Sequence, residues 1–252
     1  MFRTSSSPAV VLHQYRVGEA HKGLTLLTPD RGLLQALAHG AYQFKSRFRT
    51  LSEPFSHVRV YLYHDPVKDQ YKVTDMEALE LFEGLRASLV KFYTASLWAE
   101  AVLKSFAGGG ESVAAVFELL VESLGCLERA AAGREGLISA QFLFRLLGLM
   151  GYSPELERCG LCERDFEEGE ESFFSGERVA LECAGCAAAG SFRLPPGGRR
   201  YLQKTLTLPL EQAVRIGLGE ASRSALKELG HRFIQAVLEV GLNTLRSGAG
   251  IL

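Results

Sequence analysis

The first 75 residues consist of short apolar runs separated by turn residues, a pattern that predicts β-structure. Strands bounded by clusters of Gly, Pro and Asp are typical of small β-domains. Residues 28–32, Thr-Pro-Asp-Arg-Gly, predict a hairpin turn, because Pro presets one φ angle and Gly accepts a positive φ at the exit. Five strands in this length predict a small closed barrel of the OB type over residues 1–75. The predicted strands are Ala9–Leu12, Gly23–Leu27, Leu33–Ala38, Val58–Tyr63 and Gln70–Val73.

From residue 74 the apolar positions recur every three to five residues, and this period predicts helices. Thr74 and Glu77 have the spacing of a capping box at the start of a long helix that ends before the glycines at 108–110. Its predicted apolar stripe comprises Leu79, Phe82, Leu85, Leu89, Phe92 and Leu97. Further helices are predicted from Ser112 to Gly133, from Leu137 to Met150 and from Ser222 to Leu245. The sequence therefore predicts an α+β fold, with a helical domain over residues 76–252 following the barrel.

Composition places the chain among ordinary globular proteins. Of 252 residues, 47% are hydrophobic and 23% charged, and the formal net charge is −1. That total conceals a polarity, because residues 1–75 carry a net charge of +4, residues 155–182 a net charge of −7 and residues 187–252 a net charge of +5. A locally basic segment can bind polyanions even when the whole protein is neutral. The polar start lacks the apolar core of a signal peptide, and no apolar run is long enough to span a membrane, so we expect a cytoplasmic protein.

Four of the five cysteines form two Cys-x-x-Cys pairs, at Cys159/Cys162 and Cys183/Cys186. This is the spacing of a zinc ribbon, in which each pair presents two sulfurs to one tetrahedral ion. Four thiolates fill the coordination sphere, so the sequence predicts one structural Zn²⁺ per chain in an insert at about residues 156–190. Two vicinal redox pairs are the alternative interpretation of the same spacing. The turn Pro195–Gly198 follows the predicted insert.

The sequence contains none of the common catalytic signatures. It lacks the phosphate-binding loop, the HExxH motif of zinc hydrolases, the GxSxG elbow and the dinucleotide-binding glycine pattern. The six histidines occur singly along the chain. We therefore expect a binding protein and no enzyme.

A second informative segment is Gly40–Arg49, in which cations alternate with aromatic residues. Cations neutralise phosphates and aromatic faces stack on bases, as on single-strand binding surfaces. Phe48 is predicted to be a core residue because it lies between two exposed cations; stacking by Phe48 is the alternative. The predicted DNA contacts are Lys45, Arg47, Arg49 and Phe44 of this segment, Arg16, Lys22 and Arg31 elsewhere in the barrel, and Arg199, Arg200 and Lys204 of the basic tail.

The sequence resembles the bacterial recombination mediator family RecO. The resemblance rests on Leu27–Gly32, Gly40–Ala41, Lys45–Arg49, Leu146–Leu156 and the first cysteine pair, in the same order as in that family. Tyr42 and Gln43 stand where relatives often carry further cations. The resemblance implies an OB barrel, a helical domain and a zinc finger.

The same resemblance implies activities and partners. It implies binding of single- and double-stranded DNA and annealing of complementary strands. It also implies cooperation with RecR and the single-stranded DNA-binding protein to load RecA, and a cytoplasmic protein associated with the nucleoid. We expect the acidic tail of the single-stranded DNA-binding protein to bind the helical domain near Arg215, Arg223 or Arg232. The alternative is a zinc-ribbon protein that acts on RNA or transcription complexes, and a metal-dependent hydrolase is disfavoured by the closed four-thiolate site.

Overall fold

The structure, a computed structural model, describes residues 3–44, 46–105 and 113–252. The chain divides into two compact units, residues 1–128 and residues 129–252. Lys45, the glycines at 108–110 and the predicted cap Ser112 lie outside the described residues. No helix in the described ranges is long and apolar enough to cross a membrane.

Five strands close into a barrel in the first unit. They are β1 (Thr4–Val17), β2 (His21–Thr28), β3 (Gly32–Ala38), β4 (His57–Asp65) and β5 (Gln70–Glu80). Their order around the barrel is β1-β2-β3-β5-β4, in which β3 and β5 are parallel and the remaining neighbours antiparallel. A five-stranded closed barrel with a short helix, α1 (Phe48–Leu51), between β3 and β4 has the OB architecture. The predicted fold class is confirmed.

Alternating side chains fill the barrel. On β2, Leu24 and Leu26 point into the core, and Lys22 shares their face at the end of the strand. Tyr15 lies on the outer face, where its ring covers Gly23 of the paired strand so closely that a Cβ atom there would fall 2.1 Å from Cζ. Phe48 packs against the barrel core, as predicted.

The predicted helix from Thr74 is wrong, because β5 continues to Glu80. Val60 pairs with Met76 and Val58 with Ala78, so residues 74–80 complete the antiparallel ladder with β4. Backbone pairing across the barrel therefore overrides the local capping signal. The helices of this unit are α2 (Glu83–Arg86), α3 (Leu89–Ser105) and α4 (Val113–Arg129). Three residues of the predicted apolar stripe, Leu79, Leu89 and Phe92, are exposed.

The second unit is built around two long helices, α5 (Glu135–Leu149) and α8 (Glu220–Leu238). The rings of Phe144 and Phe233 meet edge to face at 5.9 Å, and Gly230 allows α8 to approach Leu143. A three-stranded antiparallel sheet, of order β7-β6-β8, joins them through Phe174, 5.1 Å from Phe233. Its strands are β6 (Ser172–Ser175), β7 (Ala180–Glu182) and β8 (Phe192–Leu194).

Two predictions for the second unit need correction. Pro196 begins a helix, α6 (Pro196–Thr205), where the sequence predicts only a turn, because proline is favoured at the first position of a helix. The last predicted helix ends at Leu238, since Glu239 takes a left-handed conformation, with φ 53°. The short helices α7 (Leu210–Ala213) and α9 (Asn243–Ser247) complete the unit.

Candidate metal centre and nucleic-acid interface

The two cysteine pairs converge on one point, as their spacing predicts. The sulfur atoms of Cys159, Cys162, Cys183 and Cys186 all lie within 4.8 Å of one another, and the Sγ atoms of Cys162 and Cys183 are 3.9 Å apart. Four thiolates at a Zn–S distance of 2.3 Å would have sulfurs roughly 3.8 Å apart in a tetrahedron. The cluster therefore has the size and the soft donor set of a closed four-thiolate metal site.

Local backbone structure sets this geometry. The hairpin β6–β7 holds Cys183 one residue after β7, and the amide of Gly160 donates to Leu181 O at 2.8 Å, which ties the first pair to the hairpin. The amide of Cys186 donates to Cys183 O at 3.0 Å, and this closes the second turn. The amide of Cys183 donates to the sulfur of Cys159 at 3.3 Å. A hairpin between the cysteine pairs thus leads directly into the second pair.

The thiols differ in acidity. Burial opposes ionisation of Cys159, but backbone N–H groups of Cys162, Cys183 and Leu161 outweigh it and lower the pKa of Cys159 to about 6. Hydrogen bonds with the sulfurs of Cys162 and Cys183 raise the pKa of Cys186 to about 12. Negative charge in the cluster is therefore shared unequally. A divalent cation would stabilise all four thiols as thiolates, since a coordinated thiol is deprotonated outright.

Two arginines of the basic tail pair with carboxylates of the acidic insert around this centre. Arg193 pairs with Glu171, and Arg200 pairs with Glu168 at 2.8 Å. Arg199 is only 4% exposed, donates to the carbonyls of Leu156 and Glu167 and stacks on Phe166. Arg199 is therefore committed within the fold, and its burial argues against its predicted DNA contact.

Lys204, the remaining predicted contact of the tail, is exposed on α6. Arg200 keeps 41% of its side chain accessible beside its acidic partner. The positive charge available to a ligand in this segment is thus smaller than the net charge of the sequence suggests.

The cationic–aromatic segment forms part of the connector between β3 and β4, residues 39–56. Phe44 is 88% exposed and Tyr42 is 41% exposed, whereas Phe48 is half-buried. The side chain of Arg47 is 66% exposed, and Arg49 is also exposed. The connector therefore presents an aromatic ring and two guanidinium groups to solvent.

The other predicted contacts of the barrel separate into three environments. Arg16 joins the connector, since its guanidinium lies 5.5 Å from the centre of the Tyr42 ring. Arg31 lies in the β2–β3 turn, at the opposite end of those strands, paired with Asp30 at 3.2 Å. Lys22 is 1% exposed and its ammonium lies 2.8 Å from Glu53, so its burial argues against a direct phosphate contact.

A pocket of about 590 Å³ opens in the second unit between β8 and α8. Its lining includes Phe192, Arg193, Pro195, Ala225, Lys227 and Glu228. Arg232 lies over the Phe192 ring at 4.8 Å and pairs with Glu228, while Arg223 pairs with Glu220. The pocket combines an aromatic wall with nearby cations.

Sequence reasoning missed the acidic partners at the barrel end. Glu53 binds Lys22, and Asp75 binds Arg47 at 2.8 Å. The burial of Lys22 could have been predicted from the sequence, because Lys22 continues the inward-facing alternation of Leu24 and Leu26. Asp75 was missed because the sequence interpretation placed it in a helix. The pocket lining was missed because its residues come from two separate segments, around Phe192 and around Lys227.

Fold and cysteine cluster together define a two-unit OB-barrel protein with a candidate metal centre. Residues 1–82 match the family description "Recombination protein O N terminal", and residues 86–246 match "Recombination protein O C terminal". The chain belongs to the RecO family of recombination and DNA repair proteins.

Curated relatives named DNA repair protein RecO agree with this assignment. The chain is 35% identical over 225 residues to the protein of Rubrobacter xylanophilus, with 88% of each chain covered. It is 33% identical over 217 residues to that of Pelotomaculum thermopropionicum, covering 85% of this chain and 80% of the relative. It is 32% identical over 186 residues to that of a Nocardioides species, covering 73% and 74%.

Proposed function

We propose that this protein is a recombination mediator that binds single- and double-stranded DNA and anneals complementary strands. The observation that carries the proposal is the connector, which exposes 88% of Phe44 and also exposes Arg47 and Arg49. The Phe44 ring is 88% exposed, so its face is available for a ligand to cover. Bases of a single strand offer such a cover, and the guanidinium groups meet the adjacent phosphates.

This arrangement suits annealing in particular. Phosphate contacts and stacking hold a strand without selecting its sequence, since every base has a π-face and phosphates carry no base information. A surface that holds strands in this way leaves their pairing edges free for a complement. No covalent step is required, and we assign no catalytic residue.

We further propose that the cysteine cluster holds one structural Zn²⁺. Cys159, Cys162, Cys183 and Cys186 would supply four thiolates, and no coordination position would remain for water or substrate. The metal would replace the apolar core that a segment of this size cannot build by itself. Its role would be to shape the insert and not to act on DNA.

We propose RecR, the single-stranded DNA-binding protein and, indirectly, RecA as partners. The pocket beside Phe192 supports one of these contacts, because an acidic tail needs cations for its carboxylates and an apolar cavity for its apolar side chains. Lys227 lines the pocket, so Lys227→Glu in the full-length chain should weaken binding of a synthetic acidic-tail peptide. Lys204→Glu makes the same charge change on α6 and is the control. Equal effects of both variants would remove the pocket from the proposal.

The central experiment measures annealing with a fluorescently labelled pair of complementary oligonucleotides. The wild-type chain should accelerate duplex formation, and Phe44→Ala combined with Arg47→Ala and Arg49→Ala should abolish the acceleration. Lys68→Ala, an exposed cation in the turn before β5, is the control. A protein that binds RNA in preference to DNA and does not anneal DNA would instead support the zinc-ribbon RNA-binding alternative.

A further inference from the structure

Lys22 occupies a position that the barrel pattern would assign to an apolar residue. It shares the inward face of β2 with Leu24 and Leu26, and its side chain is 1% exposed. An ammonium group is strongly hydrated, so its burial at this position requires partners that replace water.

Those partners all belong to the connector, residues 39–56. The Lys22 ammonium lies 2.8 Å from Oε1 of Glu53, donates to Arg49 O at 3.4 Å and faces the Tyr42 ring at 5.1 Å. The second oxygen of Glu53 accepts a hydrogen bond from Gln14 Nε2 at 3.1 Å. The buried ammonium of Lys22 therefore contacts the connector at three places: near its start, in α1 and just after α1. Through Gln14, Glu53 also links the connector to β1.

Stability alone is a weak reason for such a pair. Removing two charges from water offsets much of their attraction, and buried ion pairs can often be replaced by apolar residues without loss. An apolar side chain would not reproduce the directionality of these contacts. The ammonium must meet a carboxylate, a carbonyl and an aromatic face together, and this fixes one arrangement of the segments that carry them.

We infer that Lys22 and Glu53 are positioning residues, which hold the connector so that Phe44, Arg47 and Arg49 face a DNA strand together. Lys22 itself does not touch DNA. This inference rests on the proposed DNA-binding role of the connector. It extends that role by stating what orders the surface before a strand arrives.

Removal of the Glu53 charge should change DNA affinity in the direction opposite to that expected from charge alone. Glu53 is an acid near a surface that binds a polyanion, so removing its charge should strengthen DNA binding if electrostatics alone mattered. If Glu53 positions the connector, Glu53→Gln should instead weaken binding, because fewer molecules are in the competent arrangement. We expect a loss of roughly threefold to tenfold for a single-stranded oligonucleotide, in line with one charge-assisted hydrogen bond partly lost.

The matched control is Glu19→Gln. Glu19 is exposed in the β1–β2 turn, next to Ala20, whose carbonyl accepts the Tyr42 amide. This variant removes the same charge from the same end of the barrel without touching Lys22. Its affinity should stay equal or rise.

The experiment combines fluorescence anisotropy at several salt concentrations with hydrogen exchange on the full-length chain. In Glu53→Gln the amides of Arg49 and Ser52, bonded to Ser46 O and Phe48 O, should exchange faster while the barrel strands remain protected. The salt slope should stay at its wild-type value because no phosphate contact is lost. Lys22→Met is the second variant and should act in the same direction; a slope flattened by about 0.7 in Lys22→Met would mean that Lys22 does meet a phosphate and would overturn the inference.

The remaining outcomes separate the two proposals. Unchanged exchange in the connector, or tighter binding by Glu53→Gln, would overturn the positioning role. Faster exchange with unchanged affinity would leave the positioning role in place and refute the connector as the DNA-binding surface. If Lys22→Met fails to fold, Glu53→Gln decides the question, since glutamine keeps the size of the side chain and one acceptor oxygen while it removes the charge.

Discussion

The guanidinium of Arg47 lies 2.8 Å from the carboxylate of Asp75, so one cation of the connector is already paired before any ligand binds. Asp75 belongs to β5, beyond the point at which the sequence predicts that strand to end. A DNA phosphate would have to compete with Asp75 for Arg47. If the connector binds DNA as proposed, Asp75 on the barrel wall would lower the affinity of this surface for DNA.

Replacement of Asp75 by Asn should therefore tighten DNA binding. The Arg47 side chain is 66% exposed, and exposed ion pairs contribute about 0–1 kcal/mol, so we expect affinity to rise by up to about fivefold. Anisotropy titrations at low salt would measure this. Glu77→Gln, two residues further along β5, is the control for net charge; an equal gain in that variant would mean that the general field and not the Arg47 pair is responsible.

Salt dependence provides a count of the phosphate contacts. If Lys45, Arg47 and Arg49 each neutralise one phosphate, the triple alanine variant should flatten the slope of log K against log salt by about 2 units on single strands. The loss should be the same for oligonucleotides of different sequence. An unchanged slope would mean that these cations do not meet DNA, and Lys204 with Arg200 would become the leading candidates.

The two phenylalanines of the connector should respond in opposite ways. Phe44 is 88% exposed, so Phe44→Ala should leave the free energy of unfolding unchanged but weaken single-strand binding by about 1–3 kcal/mol if the ring stacks on a base. Phe48 packs against the barrel core while remaining half-buried, so Phe48→Ala should destabilise the protein by about 1–3 kcal/mol. Urea denaturation and anisotropy, run on both variants, would separate these effects. Unaltered binding by Phe44→Ala would exclude stacking.

Local spacing explains what could be predicted from the sequence. The cysteine cluster follows from two short turns, and the five strands follow from alternation within each run, because both depend on neighbours a few residues apart. The end of β5 depends instead on β4, where Val60 pairs with Met76. Thr74 and Glu77 have capping-box spacing but lie in this ladder, so only the paired strand distinguishes the two interpretations.

The charged residues show the same limit. Lys22 and Arg199 are cations of the kind that usually faces solvent, and the sequence interpretation placed both at a DNA surface. Their burial depends on Glu53 and on the carbonyls of Leu156 and Glu167, which lie tens of residues away. The alternation of inward and outward positions along β2 could have identified Lys22 as a buried residue. No comparable periodic signal distinguishes Arg199 from Arg200.

Metal content tests the cysteine cluster directly. The wild-type chain should contain one Zn²⁺, and Cys162→Ser should lose it and disorder residues 156–190. Helices α5 and α8 should remain folded, because Phe144 packs directly against Phe233 even if the contact of Phe174 from the insert with Phe233 is lost. Elemental analysis and far-ultraviolet circular dichroism would measure the two effects. Cys126→Ser alters a buried cysteine of α4 and should retain the metal. Purified wild-type protein without bound zinc would refute the proposed centre.

His231 should make the protein less stable in mild acid. Its imidazole is buried on α8 and its Nε2 atom has no hydrogen-bond partner among the described residues. Burial lowers the pKa of His231 to about 4; Glu228 opposes this shift and Lys227 adds to it. The unfolded chain, with a histidine pKa near 6.5, therefore binds the proton more readily than the folded chain does. Stability should fall as the pH decreases from about 6.5 to about 4, by up to roughly 3 kcal/mol from this group.

The variant His231→Leu removes the titrating group from the same buried position. Between pH 7 and pH 5 its free energy of unfolding should fall by about 2 kcal/mol less than that of the wild-type chain, because one pKa unit corresponds to about 1.4 kcal/mol. Urea denaturation at both pH values would give the difference. His13→Leu is the control, since His13 is exposed on β1. Parallel pH profiles of wild type and His231→Leu would show that the buried imidazole does not govern acid stability, and the carboxylates of the second unit would then have to account for it.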